Sequence, residues 1–102
     1  MISDTEKSYL DNLGCWDDGV ARTRATTVDL TLTQQHFEIL MAAREFYNRF
    51  GFAPSMRPLS KYIAEKIHPD KGKSLYLLKL FPDSPARLVA EISGLPAPRN
   101  CI

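Results

Sequence analysis

Two cysteines, two histidines and one tryptophan leave this 102-residue chain little material for several common chemistries. Cys15 and Cys101 are too few for a cysteine metal site or a disulfide scaffold. His36 and His68 stand beside no second ligand type at metal spacing, so no metal is expected. The chain has no glycine-rich phosphate loop, nucleophile elbow or paired-carboxylate arrangement, and no cofactor is expected either. No apolar run approaches the roughly 20 residues that span a bilayer. Residues 1–10 carry acids and no apolar stretch of the kind a secretory leader needs. The expectation is a cytoplasmic protein without a membrane partner, its thiols kept free in a reducing compartment.

What the chain does have is enough apolar material for one domain. Hydrophobic residues make up 44% and charged residues 25%, the balance of an ordinary globule. The net charge of +1 hides an asymmetry. Residues 1–30 hold six acids and three bases, a balance of −3, whereas residues 57–87 hold seven bases and three acids, a balance of +4. The basic half suits an acidic partner or a nucleic-acid backbone, and a solvated helical surface accounts for it equally well.

The periodicity predicts a mainly α fold, a small orthogonal bundle of about five helices spanning residues 1–94, with a flexible arm at 95–102. Turn residues dominate around Tyr9-Leu10 and Gly14-Cys15-Trp16, which read as short extended segments or an N-terminal β-hairpin. Val20 to Thr26 reads as a short helix capped by Asp17 or Asp18, followed by a brief strand or linker at 26–30. Thr33 opens the clearest helix, which Gly51 closes. Its apolar residues cover most of the circumference, and a helix of that kind is expected at the centre of the bundle.

Ser55 and Pro58 open a third helix with Met56, Leu59, Ile63 and Ile67 on one face. After His68-Pro69, Asp70 is expected to start a fourth, continuous to Phe81. Ser84-Pro85 opens a fifth that stops at Gly94. Beyond it, Pro96 and Pro98 lack backbone donors and favour an extended path. Eight extended residues after Gly94 span roughly 26–29 Å, which carries the penultimate Cys101 well clear of a core.

Cys101 is the leading chemical candidate, because an accessible thiolate can attack and carry sulfur. Arg99 favours that anion and the chain's terminal carboxylate opposes it. Cys15, in an apolar island beside Trp16, is expected to be packed rather than reactive. His36 and His68 are read as structural. The helix pair 56–81, with Arg57 and Lys61 among its bases, has the outline of a helix-turn-helix, but a leucine-rich second helix argues against direct nucleic-acid binding.

Taken in order, several segments resemble the DsrC/TusE family of small sulfur-carrier proteins over nearly the whole chain. They are Trp16 with Val20-Ala21, Leu32-Thr33, His36-Phe37-Glu38, Arg44-Glu45-Phe46-Tyr47 and Ala53-Pro54. Lys71-Gly72 with Ser74, Tyr76-Leu77, Leu80-Phe81-Pro82 and Pro85-Ala86 follow, and then Gly94-Leu95-Pro96, Pro98 and Cys101.

The resemblance implies that Cys101 holds sulfur as a persulfide and exchanges it with protein partners. It implies an upstream sulfurtransferase as donor, and downstream a thiolation enzyme, toward tRNA wobble 2-thiouridine, or a sulfite reductase. Members competent with dissimilatory sulfite reductase carry a second cysteine eleven residues before the first, a position that is Ala90 here, and this favours the TusE-like branch. Ala97 replaces a usual lysine, and Asn100 a usual small residue. The partner-binding residues expected are Arg99, Pro96, Pro98, Arg57 and Lys61, on a monomer. The competing readings are a partner subunit of sulfite reductase that still uses Cys101, and a nucleic-acid-binding regulator acting through the basic helices.

Overall fold

The computed structural model describes residues 13–98. Among them are five α-helices, one 3-10 turn and no strand: α1 Asp18–Thr26, α2 Gln34–Phe50, α3 Met56–Lys66, the turn Pro69–Gly72, α4 Ser74–Leu80 and α5 Pro85–Ile92. The Tyr9-Leu10 part of the expected N-terminal hairpin falls outside the described residues. Caps account for most of the helix boundaries. The Asp17 carboxylate accepts from Val20 N–H at 3.0 Å and sets the start of α1. At α2, His36 Nδ1 accepts from Thr33 N–H at 3.0 Å, and Gly51 closes the helix with φ 79°. Ser55 occupies the N-cap position of α3 without a side-chain bond to the helix. Pro85 fills the first position of α5.

The expected helix from Asp70 to Phe81 is in fact two pieces. Gly72 lies so close to α3 that an added Cβ would sit 2.5 Å from the Ser60 carbonyl and 2.8 Å from Ala64 Cβ. That approach uses a 3-10 turn, and Lys73, extended with ψ 144°, restarts the chain as α4. The segment 26–30 is a turn, with Asp29 at φ 56° and Leu30 N–H on Ala25 O at 2.9 Å.

Burial also changes which helix is central. α2 contributes Ile39, Leu40, Ala43 and Phe46 to the core but shows Met41 and Phe50 to solvent, 54% and 48% exposed. α5 instead packs against each of the other four helices. Its inner face of Ala86, Val89, Ala90 and Ile92 meets the small Ala21 and Ala25 of α1 within one core that includes Phe81, Leu77, Leu59 and Ile63. Each fully buried Leu, Ile or Phe contributes about 1.5–3 kcal/mol. The helix that leads into the arm is therefore the one that touches every other helix.

Candidate functional site

The last turn of α5 is where the body hands over to the arm. A helix leaves its last four carbonyls without intrahelical partners, and here every one is taken up. Ser93 N–H reaches Val89 O at 2.9 Å, Leu95 N–H reaches Ala90 O at 2.8 Å, and Gly94 N–H reaches Glu91 O at 3.3 Å. With Gly94 at φ 77°, this is a Schellman closure, and the buried Leu95 supplies its apolar contact.

Three side chains from elsewhere in the chain complete the set. Arg24 Nη1 donates to Glu91 O at 3.0 Å, Trp16 Nε1 to Ile92 O at 2.8 Å, and Arg44 Nη1 to Ser93 O at 2.5 Å. The two guanidinium groups sit at the negative end of the α5 dipole, which favours cations. Arg44 also stacks on Trp16, its Cζ 4.4 Å from the ring centroid. Partial burial pushes the Arg44 pKa below its ordinary value. Gly94 fits against this pair, since an added Cβ would lie 2.9 Å from Trp16 Cδ1 and 3.3 Å from Arg44 Nη1. The direction in which the chain leaves α5 is thus fixed by side chains from α1, α2 and the segment before α1.

The arm does not leave the body at Gly94. Leu95 and Pro98 are buried, and Pro96 and Ala97 between them are exposed. Arg99 and Cys101 lie outside the described residues. Cys101 is three residues beyond Pro98, so its backbone lies at most about 10–11 Å from that anchor. The 26–29 Å expected from Gly94 is correspondingly reduced.

The other candidates divide plainly. Arg57 and Lys61 are exposed one turn apart on α3 and take no part in the fastening of the arm by Trp16, Arg24 and Arg44. His36 is 6% exposed and bridges α2 to the end of α4, with Nε2 donating to Leu80 O at 2.8 Å while Nδ1 accepts from Thr33. Its ring meets Phe81 edge-on at 5.1 Å. His68 Nδ1 accepts from Asp70 N–H at 3.1 Å and starts the 3-10 turn. Both are structural. Cys15 is exposed, contrary to expectation, because Trp16 alone of that island turns inward. Ala90, the position of the absent second cysteine, is not on the arm but buried in α5. No cluster of metal-ligating side chains occurs among the described residues, and none of their helices is long and apolar enough to cross a membrane.

Sequence reasoning on the residues alone missed Trp16, Arg24 and Arg44 as the fastening of the arm. The available signal was Arg44, a charge between the buried positions 43 and 46 of α2.

Comparison with known proteins matches this arrangement to one family. The model of the DsrC like protein family covers residues 1–102, and the chain belongs to that family. It is 41% identical over 101 residues to the sulfurtransferase TusE of Photorhabdus laumondii, covering 99% of this chain and 91% of that protein. With a sulfurtransferase TusE homolog of Haemophilus influenzae it shares 38% identity over 100 residues, 97% of this chain and 92% of the other. The fold superposes on the NMR structure of Allochromatium vinosum DsrC with a TM-score of 0.80 and 40% identity, over 95% of this chain and 87% of that one. It also matches the oxidized gamma-subunit of the dissimilatory sulfite reductase from Archaeoglobus fulgidus, with a TM-score of 0.69 and 34% identity, over 85% and 80% of the two chains.

Proposed function

We propose that this chain is a sulfurtransferase of the relay kind, carrying sulfur on Cys101 between protein partners in the cytoplasm. The observation that carries the reading is the fastened end of α5. A body whose hub helix is locked by Arg24, Trp16 and Arg44 just before a short tether is built to present Cys101. The near-full-length similarity to proteins named sulfurtransferase supports it. In the transfer step the Cys101 thiolate attacks the outer sulfur of a donor persulfide. The donor's S–S bond breaks, its own sulfur leaves as a thiolate, and Cys101 becomes the persulfide. The reverse geometry delivers the sulfur to an acceptor thiol. Neither step needs a base on the body, and the structural roles of His36 and His68 agree with that.

Arg99 favours the thiolate electrostatically, and Pro96 and Pro98 limit the conformations lost when a partner captures the tether. The donor is an upstream sulfurtransferase, and the destination is tRNA wobble-uridine thiolation through a downstream enzyme. A sulfite-reductase role that depends on a second cysteine is disfavoured, because Ala90 offers no sulfur and its side chain packs in the core. Incubation with a persulfide donor and intact mass spectrometry test the reading. Wild type and Cys15→Ser should gain one sulfur, about 32 Da, and Cys101→Ser should not. Equal gain by Cys101→Ser would refute it.

A further inference from the structure

Two adjoining depressions run along α3 and α4, on surface that the relay chemistry does not use. One, about 340 Å³, is lined by Arg57, Ser60, Lys61, Gly72 and Lys73. The other, about 350 Å³, is lined by Leu78, Asp83, Pro85, Ala86 and Arg87. Met56 and Ser74 line both, so the two form one groove. Its floor is apolar, through Met56, Leu78, Pro85 and Ala86. Beside it on α4 stands Leu75, 77% exposed and one turn before Leu78, itself 39% exposed. Two water-exposed leucines at i and i+3 on a seven-residue helix make an uncovered apolar stripe.

The rim is mainly basic. Arg57, Lys61, Lys73 and Arg87 surround the groove, and Asp83 is its single acid. Lys73 pairs with Asp70 at 3.4 Å, whereas Arg57, Lys61 and Arg87 form no ion pair with another described residue. Basic residues without an ion pair to another described residue, set around an apolar floor, complement a ligand with acidic flanks and an apolar stripe.

We propose that this groove docks an amphipathic, acid-flanked helix of a partner protein, the apolar anchors seated on Met56, Leu75 and Leu78 and the acids facing Arg57, Lys61 and Arg87. A nucleic acid fits less well. Among the described residues no aromatic ring lines the groove for bases to stack on, and a phosphate backbone would leave both leucines uncovered. The inference rests on the relay reading in one respect. A thiol no more than about 10–11 Å beyond Pro98 requires its partner to settle on the body. The groove reaches the N-terminal end of α5, and the eight residues of that helix span only about 12 Å to the root of the arm. Docking there raises the concentration of the partner's sulfur at the tether.

The test is an NMR titration of the ¹⁵N-labelled full chain with a synthetic helical peptide of roughly five turns, about 18 residues, bearing leucines on one face and glutamates beside them. Controls are the same peptide with glutamine for glutamate, and unfractionated tRNA. Shifts should gather at residues 56–61, 73–78 and 85–87, with affinity about tenfold weaker for the glutamine peptide and for R57E or L75S, both at exposed positions. C101S should bind as wild type does. Because no persulfide is present, the result is independent of the persulfide mass test. Equal binding of both peptides, shifts centred elsewhere, or displacement of the peptide from these residues by tRNA would overturn the proposal.

Discussion

Arg44 stacks its guanidinium 4.4 Å from the centre of the Trp16 ring and, from the same group, donates to the Ser93 carbonyl at 2.5 Å. One cation thereby joins the middle of α2, the segment before α1 and the end of α5. Arg44→Met removes the donor and the stacking partner together. It should cost about 1.5–3 kcal/mol in urea unfolding, the range for a hydrogen bond from a charged group. Trp16 is the sole tryptophan, so its fluorescence should change in the folded variant. Sulfur uptake from a protein donor should slow, while alkylation of Cys101 by a small reagent should not.

Gly94→Ala tests the same joint from the other side. Alanine meets both the positive φ of 77° and the Trp16 ring at 2.9 Å. The backbone strain alone is worth about 1–3 kcal/mol. Trp16→Ala in the same chain should remove the steric part and leave the conformational part, so the double variant should lose less than the sum. Thermal and urea unfolding of the four proteins measure this.

Much of the helix order could be read directly from the chain, because caps and breakers act locally. Asp17, Thr33, Gly51 and Ser84-Pro85 mark boundaries that the structure keeps. What could not be read depends on residues far apart in sequence. The break at Gly72 exists because α3 lies against it, twelve residues earlier at Ser60. Trp16 meets Ile92 across 76 positions, and Arg44 meets Ser93 across 49. Cys15 looked apolar by its neighbours, yet only Trp16 turns inward. Pro98 looked like part of a free arm, and its burial shortens the tether.

His36 separates structural from chemical roles. His36→Ala removes the bridge between Thr33 and Leu80 and a ring packed on Phe81. Unfolding should show a loss of about 2–4 kcal/mol, from an unsatisfied carbonyl and a cavity. At temperatures where the variant stays folded, persulfide loading of Cys101 should match wild type.

Lys71 donates to Glu38 at 2.7 Å, and the hydrogen bond to that carboxylate, ahead of their mutual charge, raises the Lys71 pKa above 10.5. For a group raised on folding, the stabilisation is complete below the ordinary lysine value and disappears as pH climbs through the raised one. The stability gap between wild type and Glu38→Gln should therefore stay level from about pH 7 to 9 and close above about pH 10.5. Urea unfolding at a series of pH values checks the direction.

The most direct measurement is a single-turnover transfer with isotopically labelled sulfur. Chain loaded with labelled persulfide is mixed with an acceptor sulfurtransferase, and the C-terminal peptide is followed by mass spectrometry. The label should leave the Cys101 peptide as it appears on the acceptor thiol, at matching rates. Label that reaches the acceptor equally fast from a Cys101→Ser chain, or that never leaves Cys101, would contradict a relay through this thiol.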